Sequence, residues 1–220
     1  PYVPSTKADN MAQMSVLIVG GGGREHALCL GLNRSESIGE IHCAPGNAGT
    51  AEIATNHAFS EVADLIHLAF QLDVDFVVVG PEVPQCEGLA DQLANMDIPC
   101  FGPVAALARL EGSKLHAKQV MQANGVPTAA FHLLDSNSDI DAALDDFSGN
   151  PWVVKRDVLA GGKGVVVTED RAEAKEFILD SIASDGQVVL EDFLSGEEAR
   201  MSTLIHIQPC RRPPQGRSRR

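Results

Sequence analysis

Charged residues in the second half of the chain have the types and spacing needed to bind a polyphosphate. Lys114 stands near the start of a helical pattern, and Lys155 ends an apolar run. A glycine loop with its own lysine, 160–164, follows Lys155, and an acidic stretch, 191–198, leaves a strand pattern. Lysines neutralise phosphate charge, and glycines let backbone N–H groups approach an anion closely. Together these segments predict part of an ATP site.

Each segment also has an ordinary structural explanation, which the residues alone leave open. The alternatives are a glycine-rich hairpin turn, a lysine that reaches the surface from a strand end, and a solvated acidic turn. Because Lys155 follows apolar residues, its burial would require an anionic partner, and we expect a nucleotide phosphate there. A cation at Lys114 opposes the helix dipole, so an anionic ligand is expected there too. The loop is not a Walker-type phosphate loop, since Asp157 stands at its first glycine position and Gly164 follows Lys163.

A second glycine run, 20–23, lies where an apolar strand pattern changes to a helical one. A helix N-terminus beside glycines favours an anion, so this turn is a candidate phosphate site. Glu25 or His26 occupies the last glycine position of a dinucleotide fingerprint, which argues against NAD. The structural alternative is a tight strand-to-helix turn.

Strands and helices alternate in the first half of the chain, which predicts a doubly wound parallel α/β sheet with ligand loops at the carboxyl ends of its strands. The second half reads instead as an α+β module. The predicted elements are strands at 16–19, 41–44, 76–80, 98–101, 131–134, 152–155, 165–168 and 187–193, and helices at 24–33, 61–71, 87–96, 113–124, 138–147 and 170–184. Strands 152–155 and 165–168 form a hairpin around the glycine loop, and Ser138 is a possible N-cap.

Composition limits the classes of function. The net charge of −13 argues against nucleic acid as a partner, because phosphate binding requires basic residues. Five arginines lie in the tail 206–220, which reads as a disordered or artefactual end, with an RNA-binding arm as the alternative. The five cysteines show no metal-ligand spacing. No apolar run is long enough for a membrane span and no signal pattern precedes the first strand, so we expect a cytoplasmic protein.

Five segments, in this order and spacing, resemble the phosphoribosylamine–glycine ligase family, which belongs to the ATP-grasp ligases. They are Gly21–Ala27, Ala44–Thr50, Gly80–Pro84, Phe101–Pro103 and Leu110–Lys114. The resemblance covers about residues 14–205. It implies an N-terminal doubly wound domain followed by an ATP-grasp domain that clamps ATP. It also implies an enzyme that phosphorylates glycine with ATP and transfers the glycyl group to 5-phosphoribosylamine in purine biosynthesis, with Mg²⁺ or Mn²⁺ as metal.

The resemblance assigns roles to individual residues. Lys114 and Lys155 would contact phosphates, Glu198 would bind the ribose, and the remaining nucleotide residues are the flap Gly161, Gly162, Lys163 and Gly164 and the adenine hinge Glu191, Asp192 and Leu194. Candidates for holding phosphoribosylamine are Gly21, Gly22, Gly23, Arg24, Glu25, Gly80, Pro81 and Glu82. The implied partners are the small molecules ATP, glycine and 5-phosphoribosylamine, and we expect a monomer.

The chain departs from the family pattern at several positions. Val158 replaces a glycine before the flap, which predicts strain if φ is positive there. Arg156 is expected to add charge beside the phosphates, and Gln85 and Cys86 replace apolar residues. After about Ile205 the core pattern stops, and no counterpart of the family's metal ligands follows.

These departures predict a C-terminally truncated, inactive fragment without a metal site. The expected division is a disordered leader at 1–13, an N-terminal domain at 14–112, a partial ATP-grasp domain at 113–205 and a disordered basic tail at 206–220. A non-catalytic module that binds ATP or a phosphoribosyl group, and another ATP-grasp ligase, are the alternatives.

Overall fold

A five-stranded parallel sheet forms the first half of the computed structural model, which describes residues 13–159 and 164–196. Its strands are β1 (Met14–Gly20), β2 (Ile38–Pro45), β3 (Thr55–Asn56), β4 (Phe76–Val79) and β5 (Cys100–Phe101), in the order β3-β2-β1-β4-β5. Every neighbouring pair in this sheet is parallel. The central strand β1 is apolar from Val16 to Val19 because both of its faces are covered. The predicted doubly wound sheet is confirmed.

Helices cover both faces of this sheet. They are α1 (Gly23–Leu32), α2 (Val62–Gln71), α3 (Glu82–Cys86), α4 (Leu89–Ala94) and α5 (Ala105–Gly112), with a short 3₁₀ turn at Thr50–Glu52. Leu17 and Val19 pack with Leu65 of α2 and Leu93 of α4 on one face. On the other face, Ile18 of β1 belongs to the core cluster that includes the α1 residue Cys29.

The predicted helix at 87–96 corresponds to α4, whereas helices α3 and α5 lie in segments for which the sequence predicted no helix. Helix α3 begins at Glu82 and includes Pro84. Proline is tolerated there because N–H groups in the first helical turn have no partner within the helix. Helix α5 was not predicted because its sequence shows no apolar stripe. Ala108 is its one buried residue, and the larger apolar residue Leu107 is 61% exposed.

A four-stranded antiparallel sheet forms the second half. Its strands are β6 (Phe131–Asp135), β7 (Trp152–Arg156), β8 (Val165–Thr168) and β9 (Gln187–Glu191), in the order β6-β9-β7-β8, and the helices are α6 (Lys114–Ala123), α7 (Ile140–Asp146) and α8 (Arg171–Asp185). The predicted β7–β8 hairpin is confirmed. Leu144 of α7 and Ile178 of α8 pack against Val154 and Leu190. Because side chains alternate along a strand, Lys155 and Glu191 lie on the opposite face.

Side chains at the helix starts explain where these helices begin. Ser113 caps α6 and accepts a hydrogen bond from the His116 N–H at 3.0 Å, close to the predicted start of this helix at residue 113. The predicted cap of α7 at Ser138 is wrong, since Asp139 accepts from the Ala142 N–H at 3.1 Å. The Ser138 hydroxyl instead donates to Asp135, which closes the turn before the helix.

The leader up to residue 12, the loop 160–163 and everything after residue 196 lie outside the described residues, so the expectations for the leader and tail stay predictions. Within the described ranges, none of the helices has the length and hydropathy required to cross a bilayer.

Candidate functional site

A cleft of about 940 Å³ lies between α6, the segment before β6, and strands β7, β8 and β9. Its volume is in the range typical of small-molecule sites. Helices α3 and α5 of the first half contribute to its wall. Its lining includes Glu82, Val83, Lys114, Lys118, Met121, Pro127, Lys155, Val158, Val165, Glu191 and Leu194. The predicted residues Lys114, Lys155, Glu191 and Leu194 therefore share one cavity.

The carboxylate of Glu191 pairs with two lysines inside this cleft. Lys155 Nζ lies 2.8 Å and Lys118 Nζ 3.1 Å from the same oxygen, Oε2. The anionic partner expected for Lys155 is thus supplied within the protein, by Glu191. The other oxygen, Oε1, is buried and accepts no hydrogen bond from the part of the chain that the structure describes.

Lys118 was missed by the sequence analysis. It is 8% exposed, and its ammonium also donates to Thr128 Oγ1 at 2.8 Å and to the Ala129 carbonyl at 3.2 Å. The ammonium lies 5.5 Å from the centre of the Phe131 ring. The available signal was its position four residues after Lys114, on the same face of α6.

Lys114 is held by the segment that follows β7. Its Nζ donates to the Val158 carbonyl at 3.1 Å. The carboxylate of Asp157 accepts from the Ser113 hydroxyl at 3.1 Å, the Leu115 N–H at 3.0 Å and Gln187 Nε2 at 2.8 Å. This carboxylate lies at the α6 N-terminus, where the positive end of the helix dipole stabilises its negative charge. Asp157 therefore supplies the anion that was expected from a ligand of Lys114.

Replacing Asp157 with alanine is expected to lower the free energy of unfolding by about 2 kcal/mol, because three hydrogen bonds to a carboxylate and a helix-terminal charge are lost together. Urea denaturation followed by circular dichroism measures this change. Asp180→Ala, at an exposed position of α8, is the matched control and should shift stability by less than about 0.5 kcal/mol. Equal stability of the two variants would show that Asp157 does not join β7 to α6.

Two departures from the family pattern have consequences other than those expected. Asp73 and Asp97 are the non-glycine residues with positive φ among those described, so the strain expected at Val158 is not present. Arg156 lies on the face of β7 opposite Lys155, where its guanidinium donates to both carboxylate oxygens of Asp185 at 2.6 and 2.7 Å. These hydrogen bonds hold the pKa of Asp185 below its usual value. Arg156 therefore does not line the cleft as expected.

The hinge and flap residues are only partly described. Asp192 donates its N–H to the Ala130 carbonyl at 3.0 Å and does not line the cleft, whereas Leu194 lines it and is 68% exposed. The Gly164 carbonyl accepts from the Arg156 N–H at 2.8 Å, which continues the hairpin pairing. Gly161, Gly162, Lys163 and Glu198 lie outside the described residues.

The second candidate site lies where the carboxyl ends of β1 and β4 meet. Glu25, 5% exposed, accepts from the Gly22 N–H through Oε2 at 2.6 Å. A Cβ added at Gly80 would lie 1.9 Å from Glu25 Oε1, and one at Gly20 would lie 2.6 Å from Glu25 Cγ. These glycines therefore leave the space that the Glu25 side chain fills. The chain turns in opposite directions from β1 and β4, and such a switch point is where open α/β sheets bind ligands.

The remaining predicted residues surround this switch point. Arg24 donates to the Gly80 carbonyl and lies 3.6 Å from the Glu82 carboxylate. Asn47 Nδ2 donates to the Gly21 carbonyl at 3.0 Å, so the 44–50 segment supports the glycine turn. Pro81 lies beside Gly20, and Gly23 begins α1 with open space around its Cα. The fold thus brings all eight predicted residues together.

The described residues contain no group of three His, Cys, Asp or Glu side chains arranged to hold a metal ion.

The fold is that of the ATP-grasp ligases. D-alanine–D-alanine ligase from Bacillus anthracis superposes with a TM-score of 0.63 at 22% identity, over 86% of this chain and 59% of that one, a likeness of fold. Phosphoribosylamine–glycine ligase from Thermotoga maritima superposes with a TM-score of 0.64 at 32% identity, over 83% of this chain and 44% of that one.

Two family models match consecutive parts of the chain. Residues 14–111 match "Phosphoribosylglycinamide synthetase, N domain", and residues 112–217 match "Phosphoribosylglycinamide synthetase, ATP-grasp (A) domain". The chain belongs to the phosphoribosylamine–glycine ligase family. It is 48% identical over 190 residues to phosphoribosylamine–glycine ligase from Streptomyces coelicolor, covering 86% of this chain and 44% of that protein. The chain spans less than half the length of the first curated relatives that it matches.

Proposed function

We propose that this chain binds ATP in the cleft and takes part in the ATP-dependent ligation of glycine to 5-phosphoribosylamine, which yields glycinamide ribonucleotide. The observation that carries the proposal is that Lys114, Lys155 and Glu191 line one cavity. In this reaction ATP phosphorylates the glycine carboxylate, and the amine then displaces phosphate from the glycyl phosphate. Glycyl phosphate, a mixed anhydride, is needed because a free carboxylate is a poor electrophile.

We place the adenine at the β9 end of the cleft. Met121, Pro127, Val165 and Leu194 supply apolar contacts there, and Oε1 of Glu191 is an acceptor for the exocyclic amine of adenine. The Asp192 N–H donates to the Ala130 carbonyl within the protein, so we assign the backbone contact with the adenine edge to Leu194.

We place the phosphates beside Lys114 and Lys155, toward the flap 160–164. Lys155 is bound to Glu191 through one contact, which leaves donors of its ammonium for an anion. Positive groups there stabilise charge that develops on the phosphoryl group during transfer. From the family pattern we also propose that the flap residues Gly161, Gly162 and Lys163 close over the phosphates and that Glu198 binds the ribose. Mg²⁺ would supply further charge neutralisation, but the described residues have no fitting set of ligands and we assign none of them to it.

We place phosphoribosylamine at the switch point, with its phosphate near Arg24 and the N-terminus of α1. A helix N-terminus beside glycines suits a phosphate, and Arg24 is largely exposed. Helix α3 supports this placement because Val83 lines both the large cleft and a second cavity of about 290 Å³ at the carboxyl ends of β1 and β2. An amine bound beside α3 therefore stands next to the cleft where glycyl phosphate would form.

We further propose that the boundary between the N-terminal domain and the ATP-grasp domain lies between residues 112 and 113. The support is the change from the parallel to the antiparallel sheet and the meeting of the two family models at residues 111 and 112.

Calorimetric titration with ATP tests the proposed binding, and a coupled assay of ADP release tests turnover. We expect saturable binding of one ATP per chain. ADP formation that requires both glycine and phosphoribosylamine would identify the reaction and contradict the expectation that this chain alone is inactive. Absence of saturable ATP binding would refute the proposed function, and ADP formation that requires a different carboxylate or amine would assign the chain to another ligase reaction.

A further inference from the structure

Lys118 differs from the other lysines of the cleft in the completeness of its contacts. An ammonium has three N–H donors, and Lys118 donates hydrogen bonds to Thr128 and Ala129 and forms an ion pair with Glu191 at 3.1 Å. Its side chain is 10% exposed, whereas that of Lys155 is 29% exposed and makes one such contact. The Lys118 ammonium is therefore buried among protein oxygens, and it is less available to a phosphate than the more exposed Lys155.

The contacts of Lys118 determine how the carboxylate of Glu191 is oriented. Lys118 and Lys155 both bind Oε2, although the carboxylate has two oxygens. Thr128 and Ala129, which belong to the segment before β6, accept hydrogen bonds from the same Lys118 ammonium. The position of Oε2 is thus defined from three parts of the chain, and Oε1 is left with no donor among the described residues.

We propose that Lys118 is a positioning residue that sets the base specificity of the nucleotide site, an inference that rests on the proposed function. By fixing Oε2, Lys118 presents Oε1 as an acceptor without a donor. An ion-paired carboxylate only accepts hydrogen bonds. Adenine carries an amino group at its sixth position, and guanine carries a carbonyl oxygen there. Oε1 therefore accepts from adenine and repels guanine.

Base preference separates this role from a purely structural one. A lysine that only stabilises the fold would, when removed, lower the affinity for every nucleotide by the same factor. Removal of a positioning lysine frees the carboxylate to turn, so that the affinity for an adenine nucleotide falls while that for a guanine nucleotide is kept or rises.

The test compares ADP with GDP binding by calorimetry for the wild-type chain, Lys118→Met and the matched control Lys175→Met. Lys175 lies on α8 and pairs with Asp141 at the surface. We expect the wild type and the control to prefer ADP strongly. Lys118→Met should reduce that preference about tenfold or more, because a buried carboxylate that loses its orientation no longer discriminates by hydrogen bonding.

Thr128→Val gives a second, milder variant in case Lys118→Met does not fold. It removes one acceptor of the Lys118 ammonium and should reduce the ADP preference in the same direction by a smaller factor. An unchanged ADP-to-GDP ratio in a folded variant, with both affinities equal to wild type or lowered alike, overturns the inference while the proposed function stands. Failure of the wild-type chain to bind ADP would refute both.

Discussion

Replacing Glu191 with alanine is expected to lower the free energy of unfolding by about 3–5 kcal/mol. Glu191 is 4% exposed and pairs with Lys118, which is itself buried. Its removal leaves a buried ammonium without its counter-charge, and the desolvation of that uncompensated ion is costly. Urea denaturation followed by circular dichroism measures the loss. Glu176→Ala, on the exposed side of α8, should change stability by less than about 0.5 kcal/mol.

The double variant Glu191→Ala with Lys118→Met tests the physical reason for this loss. If the cost comes from the unpaired ammonium, removing the lysine as well should restore a substantial part of the stability, since an apolar replacement of a buried pair is often nearly neutral. Additive losses in the double-mutant cycle would contradict the ion-pair explanation and would indicate that packing alone accounts for the effect.

Replacing Lys155 with methionine is expected to weaken ATP binding by about 10- to 100-fold, corresponding to about 1.4–2.8 kcal/mol. A charge-assisted hydrogen bond to a phosphate has this magnitude. Glu191 keeps Lys118 as its partner in this variant, so the fold should be retained. Titration calorimetry with ATP measures the effect, and Lys175→Met again serves as the control because neither Lys175 nor its partner Asp141 lines the cleft.

Adenosine distinguishes a direct phosphate contact from an indirect effect of Lys155. It has no phosphates, so its affinity should be nearly unchanged in Lys155→Met. An equal loss for adenosine and ATP would mean that Lys155 acts through the orientation of Glu191, and would contradict its role at the phosphates. The ATP effect should also diminish at higher salt, because Lys155 is partly exposed and its charge is screened.

The regular elements of the fold were largely predictable because their signals are local. Continuous apolar runs predicted β1 and β4, and paired runs around a glycine loop predicted the β7–β8 hairpin. The α6 start at Ser113 follows from a cap that bonds an N–H three residues away. Helix α3 was missed because Pro84 reads as a breaker, and α5 was missed because Ala108 alone is buried.

The candidate site was predicted in part. Lys114, Lys155 and Glu191 were selected by residue type and family pattern, and they do share a cavity. Their partners were not predicted. An anionic ligand was expected beside each lysine, whereas Glu191 pairs with Lys155 and Asp157 occupies the helix N-terminus beside Lys114. Neither the residue type nor the spacing of Lys118 and Asp157 distinguishes them in the sequence. Their roles, pairing with Glu191 and binding the N-terminus of α6, follow only from their contacts in the folded chain.

The residue order establishes which segments become strands and helices, which family the chain belongs to, and which charged side chains are candidates for the site. These follow from periodicity, capping and local motifs, all of which act over a few neighbouring residues. The folded molecule decides that Lys118 is buried, that two lysines converge on one oxygen of Glu191, and that Arg156 turns away to Asp185. Burial and ion pairing depend on distances between segments far apart in the chain, and those distances arise only when the sheets have assembled.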